Sequence, residues 1–132
     1  NRIDTAIAEE VWARALGSAW QCAPVWVHGD IARGNLLVED GRLSGVIDFG
    51  SSAAGDPASD LAIAWTEFSG DSRQAFRDAL PLDEETWARG RGWALWKALI
   101  VASGHDGNQR EGESSWRVIE EVLADHRQLH RR

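Results

Sequence analysis

The sequence predicts an α+β domain that is mostly helical and carries one small β element near its start. Most of the chain repeats apolar residues at helical spacing, in segments separated by short polar stretches. Between residues 23 and 50, by contrast, short β-branched runs flank an Asp-Gly pair, the usual signal of a β-hairpin. The length of 132 residues, with 43% apolar and 27% charged residues, suits one folded domain over residues 1–132.

The first elements are a helix over 5–20 and a strand over 23–29. The helix has apolar residues at helical spacing, and Asp4 or Thr5 can cap its first turn. The strand, APVWVHG, is short, β-branched and aromatic, which predicts that it is buried. The hairpin follows over 35–50, with two apolar runs around the Asp-Gly turn.

Two shorter helices are predicted after the hairpin. Residues 55–68 have Asp56 as a cap, Pro57 at the first helical position and an apolar stripe. A second helix over 71–79 ends before Pro81, because proline cannot continue a helix. These segments supply part of the predicted helical core.

A long helix over 83–104 and a last helix over 114–132 complete the chain, with a polar loop over 105–114 between them. Gly90 and Gly92 weaken the long helix and predict a kink or a split. Helical spacing assigns these side chains of the two helices to the core: Trp93, Trp96, Leu99, Ile100, Trp116, Ile119, Val122 or Leu123, and Leu129.

Composition excludes several classes of protein. A net charge of −7 offers no basic stripe for nucleic acid. The single cysteine, Cys22, permits no internal disulfide, makes a structural zinc site unlikely and favours a reducing compartment. No apolar run approaches the ~18 residues of a membrane span, and no signal peptide opens the chain, so we expect a cytoplasmic protein. The chain contains no methionine, and we expect it to be part of a longer protein.

Polar side chains stand at the ends of the predicted strands. Asp30 follows the first strand, Asn35 comes five residues later, and Asp48 closes the hairpin. Because the second strand of a hairpin returns beside the first, Asp48 is expected near Asn35 and the Asp30 loop. Oxygen ligands of this kind suit Mg²⁺, which typically shares them with substrate phosphates. The alternative is that these residues have a purely structural role in turns.

The ordered stretches HGDIARGN (28–35) and DFG (48–50) match the phosphoryl-transfer pattern of an aspartate, an asparagine five residues on and a later Asp-Phe-Gly. With the glycine at position 29 and GDPASDLA (55–62), the chain resembles the aminoglycoside phosphotransferase and choline-kinase-like branch of the protein-kinase-like fold. The resemblance is sharp over residues 24–65. It implies the C-terminal lobe of such a fold, with the hairpin carrying the catalytic and metal residues.

The resemblance also implies roles for individual residues. Asp30 would be the catalytic base or would orient the acceptor hydroxyl, and Asn35 and Asp48 would bind magnesium. Loop support is implied for three residues: His28, Asp56 and Asp60.

Each supporting residue has an alternative reading. His28 could instead be the general base, and Asp56 could be only a helix cap. Asp60 could be a solvent-facing acid that complements a helix dipole. Ala32 departs from the family, which often has histidine there, and Arg33 would either contact the γ-phosphate or lie on the surface.

The resemblance implies ATP and Mg²⁺ as cofactors, but the chain has no candidate for the phosphate-covering loop or the ATP-binding lysine upstream of residue 28. We therefore expect the N-terminal ATP lobe of the same protein as a partner. Alone, the chain would bind magnesium and ATP weakly and would be inactive.

The acceptor would be a hydroxyl of a small molecule. Aminoglycoside, macrolide, choline and homoserine kinases share this core, and antibiotic resistance is one of their roles. Charge alone suggests a cationic acceptor, contacted by loop acids: Asp106, Glu111 and Glu113, with Glu67 and Asp71 as further candidates. Two alternatives are a non-catalytic binding or scaffold module, and a metal-dependent phosphate hydrolase, which usually carries more metal ligands.

Overall fold

A computed structural model describes residues 2–104 and 109–131. The helices are α1 (Thr5–Leu16), α2 (Ile63–Thr66), α3 (Gly70–Asp78), α4 (Glu84–Ala102) and α5 (Gln109–Leu129). The strands are β1 (Val25–Val27), β2 (Leu36–Glu39), β3 (Arg42–Val46) and β4 (Ala53–Gly55). Three short 3-10 segments complete the fold: Arg33–Asn35, Phe49–Ser51 and Pro57–Ala62. The predicted class, α+β and mostly helical, is confirmed, and the β part consists of two small antiparallel sheets rather than the one β element expected.

The core is built around α4, which packs against α1, α5 and the 3-10 segment Pro57–Ala62. The helix is continuous from Glu84 to Ala102, so a split at its glycines is excluded. A Cβ at Gly90 would lie 2.8 Å from Leu61 Cβ, and a Cβ at Gly92 would overlap Ala15 Cβ. The glycines therefore serve close helix packing, which outweighs their unfavourable helix propensity.

Two tryptophans of α4 do not occupy the core as expected. Trp93 and Trp96 are 40% and 45% exposed, whereas Trp87 on the same helix and Trp65 are almost fully buried. Where its neighbours approach closely, α4 instead buries small residues and a leucine: Ala88, Gly90, Gly92, Ala94, Leu95 and Ala98. Leu99 packs at the edge of the core, and Ile100 is 37% exposed.

The first helix is shorter than expected, because it ends at Leu16 rather than at residue 20. Asp4 is its cap, since its carboxylate accepts a hydrogen bond from the backbone N–H of Ile7 at 3.2 Å. Val11 is buried, whereas Trp12 is 41% exposed. The apolar stripe of α1 is therefore only partly covered by the core.

The hairpin of β2 and β3 is confirmed, with Leu36 paired to Val46. Asp40 and Gly41 take φ angles of 52° and 76°, which an Asp-Gly turn supplies. The strand predicted over 23–29 is only three residues long and pairs with β4, which the sequence analysis missed. Its expected burial is also wrong, because Trp26 is 83% exposed. A ribbon of two short strands leaves one face uncovered.

The helix expected over 55–68 is a 3-10 segment followed by the single α-helical turn of α2. Asp56 and Pro57 occupy the cap and first positions as expected, but the tighter winding shortens the α-helical part. α3 begins one residue early, after the cap Ser69.

The last helix begins at Gln109, so residues 109–114 are helical rather than part of the predicted loop. Both Val122 and Leu123 are buried with Ile119, whereas Leu129 is 37% exposed at the end of the helix. None of the helices in the described ranges is long and apolar enough to cross a membrane.

A buried ion pair joins α4 to α5. Arg91 Nε lies 3.1 Å from Asp125 Oδ2, which also accepts a hydrogen bond from the Trp65 indole at 3.1 Å. Burial lowers the pKa of the Arg91 guanidinium, and the charge of Asp125 opposes that shift. Removing Asp125 would leave a buried cation without its partner, so this pair fixes how the two helices sit together.

Candidate active site

The loop that follows β1 holds Asp30 and Asn35 against each other. Asn35 Nδ2 donates hydrogen bonds to the backbone oxygen of Asp30 at 2.8 Å and to its carboxylate Oδ2 at 3.1 Å. The 3-10 turn Arg33–Asn35 closes the loop, and the Asn35 N–H bonds to the Ala32 carbonyl at 2.9 Å. A five-residue separation therefore becomes a direct side-chain contact.

His28 lies beneath this loop and is buried. Its Nδ1 accepts a hydrogen bond from the backbone N–H of Asp30 at 3.1 Å, and its Nε2 lies 2.8 Å from the carbonyl oxygen of Ile47. Its ring also packs edge-on against Phe49, with centroids 4.7 Å apart. Both ring nitrogens are thus occupied by backbone groups, which leaves neither free to contact a substrate.

Asp60 anchors the same loop from the opposite side. Its two carboxylate oxygens accept hydrogen bonds from the backbone N–H groups of His28 at 2.7 Å and Gly29 at 2.9 Å. Gly29 has a φ of 89°, and a Cβ there would overlap the backbone carbonyl of Ser51. A glycine is therefore required at position 29 by the close approach of Ser51.

Asp48 stands at the end of β3, beside the Asp30 loop. The backbone N–H of Ile47 donates a hydrogen bond to the backbone carbonyl of Asn35 at 2.9 Å. Asp48 is the next residue in the chain, and its backbone therefore lies close to Asn35. Asp48 has φ and ψ of 64° and 65°, a left-handed conformation that turns the chain into the segment Phe49–Ser51. The hairpin therefore brings the chain back to the loop as the sequence predicted.

The side-chain oxygen atoms of Asn35 and Asp48 suit a magnesium ion that also binds substrate phosphates better than a magnesium ion held only by protein ligands. Asn35 uses its amide nitrogen toward Asp30, which leaves its oxygen for another partner. Asp48 is exposed and adds a carboxylate. Across the described residues, no group of three or more His, Cys, Asp or Glu side chains is placed to hold a metal. Mg²⁺ commonly uses one or two protein oxygens, with water and phosphate completing its shell.

Asp56 has a structural contact that the sequence did not suggest. Its Oδ1 accepts the Ala58 N–H at 3.0 Å as a cap, and its Oδ2 lies 2.8 Å from Arg89 Nε on α4. Arg89 is 8% exposed and also donates to Ser18 Oγ at 2.6 Å. The pair ties the segment that carries Asp60 to α4. Thirty-three positions separate the two residues, and no local pattern marks the contact.

Of the remaining predicted residues, only Arg33 and Glu67 lie beside Asp30. Arg33 belongs to the loop, is largely exposed and pairs with Glu67 at 3.2 Å. Asp71 and Glu113 are exposed on α3 and α5. Asp106 lies outside the described residues, as does the side chain of Glu111. Of the described acids that were expected to contact a cationic acceptor, Glu67 is therefore the one placed beside Asp30.

A cavity of about 630 Å³ opens beside Asp30. Its walls come from the loop at 30–34, from the end of α2 and from one face of α4 that includes Trp96, Lys97 and Ile100. Sequence reasoning placed Trp96 in the core and left open only that one tryptophan of the long helix lines a sugar or aromatic pocket. It did not place Lys97 at a site, because the pairing of α4 with the loop is set by the fold. A small molecule in this cavity would lie beside the Asp30 carboxylate, which can accept a proton from a bound hydroxyl.

Comparison with known proteins gives a family match and one partial relative. Residues 3–93 match the model of the APH family, described as a phosphotransferase enzyme family. An aminoglycoside 3'-phosphotransferase from Escherichia coli is 40% identical over 60 residues, which is 44% of this chain and 22% of the relative. The match thus spans about a fifth of that relative's length. No solved structure matches.

Proposed function

The chain belongs to the APH phosphotransferase family, and from this premise we propose that it is the C-terminal lobe of a kinase-like enzyme. The enzyme would transfer the γ-phosphoryl group of ATP to a hydroxyl of a small molecule. The observation that supports this most is the fixed position of Asp30, held by Asn35 and lining a cavity large enough for an acceptor.

In this proposal Asp30 orients the acceptor hydroxyl and accepts its proton as the oxygen attacks phosphorus. The polar atoms of His28 and Asp60 are bonded to backbone groups, and so in this proposal they position Asp30 rather than react. A preset loop lowers the entropic cost of bringing the hydroxyl and the phosphate into line.

Asn35 and Asp48 would hold Mg²⁺, which would neutralise charge on the phosphates when bound. The two residues lie on separate segments that meet where the N–H of Ile47 bonds to the Asn35 carbonyl. Their alignment therefore depends on the hairpin register, in which Leu36 pairs with Val46.

The nucleotide would be held largely by residues outside this chain. Lys97 is the only lysine, and it lines the cavity next to Asp30 on the acceptor side. Nucleotide-binding lysines of kinases lie on a separate strand over the phosphates. We propose that another segment of the same protein, an N-terminal lobe, supplies this group.

Phosphoryl transfer by the protein that carries this chain tests the proposal. Asp30→Asn should lower kcat by about a hundredfold or more, because the amide cannot accept the proton. Asp40→Asn in the hairpin turn is the matched control, since asparagine tolerates its φ of 52°. Activity of Asp30→Asn within threefold of the parent would overturn the assignment. A folded protein without any transfer would instead favour the non-catalytic binding module.

A further inference from the structure

A second cavity, of about 330 Å³, lies between α1 and α4, and we call it the tryptophan groove. Its lining is formed by apolar residues and the edge of one arginine: Trp12, Ala15, Leu16, Arg89, Gly92, Trp93 and Trp96. Arg89 is buried and paired to Asp56, so its charge is already balanced. The groove therefore offers apolar surface and no uncompensated charge.

The groove adjoins the cavity at Asp30. Trp96 lines both cavities and is 45% exposed, and its ring meets Trp93 edge-on with centroids 5.7 Å apart. A molecule at Asp30 can therefore extend across Trp96 into the groove. Trp12 and Trp93 are also about two-fifths exposed, so such a molecule would remove aromatic surface from water.

The described charges around the Asp30 cavity give no net attraction to a polycation. Two cations, Arg33 and Lys97, and two carboxylates, Asp30 and Glu67, line this cavity. Arg33 and Glu67 are paired with each other. Lys97 makes no ion pair with any described carboxylate, and its charge offsets that of Asp30. A multiply charged cation would therefore find no excess of negative charge among these residues.

We propose that the acceptor is an amphiphilic alcohol of low positive charge. Its hydroxyl-bearing part would occupy the cavity at Asp30, and an apolar group would occupy the tryptophan groove. The placement of the hydroxyl rests on the proposed function, whereas binding in the groove does not. The proposal thus excludes a polycationic amino sugar as the preferred ligand.

Calorimetric binding with three probes tests this with the protein that carries the chain. Octyl β-glucoside, below its micelle concentration, and methyl β-glucoside share one polar head, and kanamycin is the polycation. We expect the octyl glucoside to bind at least tenfold tighter than the methyl glucoside, a difference of about 1.4 kcal/mol. Kanamycin should bind no tighter than the methyl glucoside.

Two tryptophan variants assign the binding to the groove. Trp93→Ala should lower octyl glucoside affinity at least tenfold, because Trp93 lines the groove and not the cavity at Asp30, whereas Trp26→Ala should leave it unchanged, because Trp26 lies on β1 and lines neither cavity. Both side chains are exposed, so both variants should fold, as circular dichroism can verify. Equal loss in the two variants would show surface adsorption and overturn the proposal.

Parallel assays of transfer from ATP separate this proposal from the proposed function. Octyl glucoside binding that depends on Trp93, without transfer to any alcohol, would overturn the phosphotransferase and retain the groove. Transfer to kanamycin with equal affinity for the two glucosides would retain the phosphotransferase and overturn the groove. Tightest binding of kanamycin would likewise overturn the acceptor class.

Discussion

His28 Nε2 lies 2.8 Å from the carbonyl oxygen of Ile47, the residue immediately before Asp48. Because Nδ1 accepts a hydrogen bond from the Asp30 N–H, the ring proton must be on Nε2. One buried imidazole therefore spans the two segments that carry Asp30 and Asp48. Its geometry makes it a positioning residue.

Replacing His28 tests this bridging role. His28→Phe keeps a ring against Phe49 but leaves the Asp30 N–H and the Ile47 carbonyl without their partner, which should cost about 1–3 kcal/mol of unfolding free energy. We expect kcat to fall by about a hundredfold from misplacement of Asp30. The pH profile of the residual activity should keep its shape, whereas loss of a general base would change it. Phe49→Leu, which removes the ring contact and keeps both hydrogen bonds, is the control.

Asp48→Asn separates metal binding from folding. Asparagine tolerates the left-handed conformation of Asp48, so the unfolding free energy should change by less than about 0.5 kcal/mol. The loss of one carboxylate should raise the Mg²⁺ concentration for half-maximal rate at least tenfold, because magnesium prefers charged oxygen ligands. An unaltered magnesium dependence would exclude Asp48 as a ligand.

Gly92→Ala should destabilise the protein despite the better helix propensity of alanine. The added methyl group would overlap Ala15 Cβ, and overpacking of this kind costs about 1–3 kcal/mol against a propensity gain of about 1 kcal/mol. Adding Ala15→Gly should restore part of the stability of the Gly92→Ala variant, because it removes the overlapping methyl group. Urea unfolding of the single and double variants should show a favourable coupling free energy of about 1 kcal/mol between the two substitutions. Gly34→Ala, where the added Cβ meets nothing within 4 Å, is the neutral control.

The helix cap of α4, Asp83, should make the free energy of unfolding depend on pH in the acid range. Hydrogen bonds from the Thr86 hydroxyl and backbone N–H hold the pKa of Asp83 below its ordinary value of 3.8. As the pH falls, the Asp83 carboxylate therefore takes up a proton at a lower pH in the folded protein than in the unfolded chain. The stabilisation by the ionised cap is present above pH 3.8 and is lost as the pH falls through the pKa of the folded form.

Asp83→Asn measures this contribution, because asparagine caps a helix but does not ionise. The difference in unfolding free energy between the parent and the variant should be largest at neutral pH and should narrow in acid. A difference that stays constant with pH would contradict the role of the ionised cap.

Local signals in the sequence carried the correct predictions. The Asp-Gly pair at 40 and 41 and the cap Asp83 act within a few residues, and the structure has both. The approach of Asp30 and Asn35 followed from five-residue spacing in a short loop. These features need no knowledge of distant contacts.

Distant contacts explain what the sequence did not predict. Trp93 and Trp96 have the spacing of core residues, but the close approach of α1 and the 3-10 segment selects the small-residue face of α4. β4 is Ala-Ala-Gly, which has little strand propensity and forms by pairing with β1. Trp96 reaches the site only because α4 packs beside the loop.

The uncovered faces of the two strand pairs have a consequence for how molecules of this chain behave in solution. Trp26, Val38 and Leu43, which lie on these strands, are 83%, 67% and 62% exposed. At low ionic strength a net charge of −7 keeps neighbouring molecules apart. Added salt shortens the range of that repulsion to about 8–10 Å, so the apolar faces can meet. Light scattering should therefore rise with salt, and Val38→Thr with Leu43→Thr should suppress the rise.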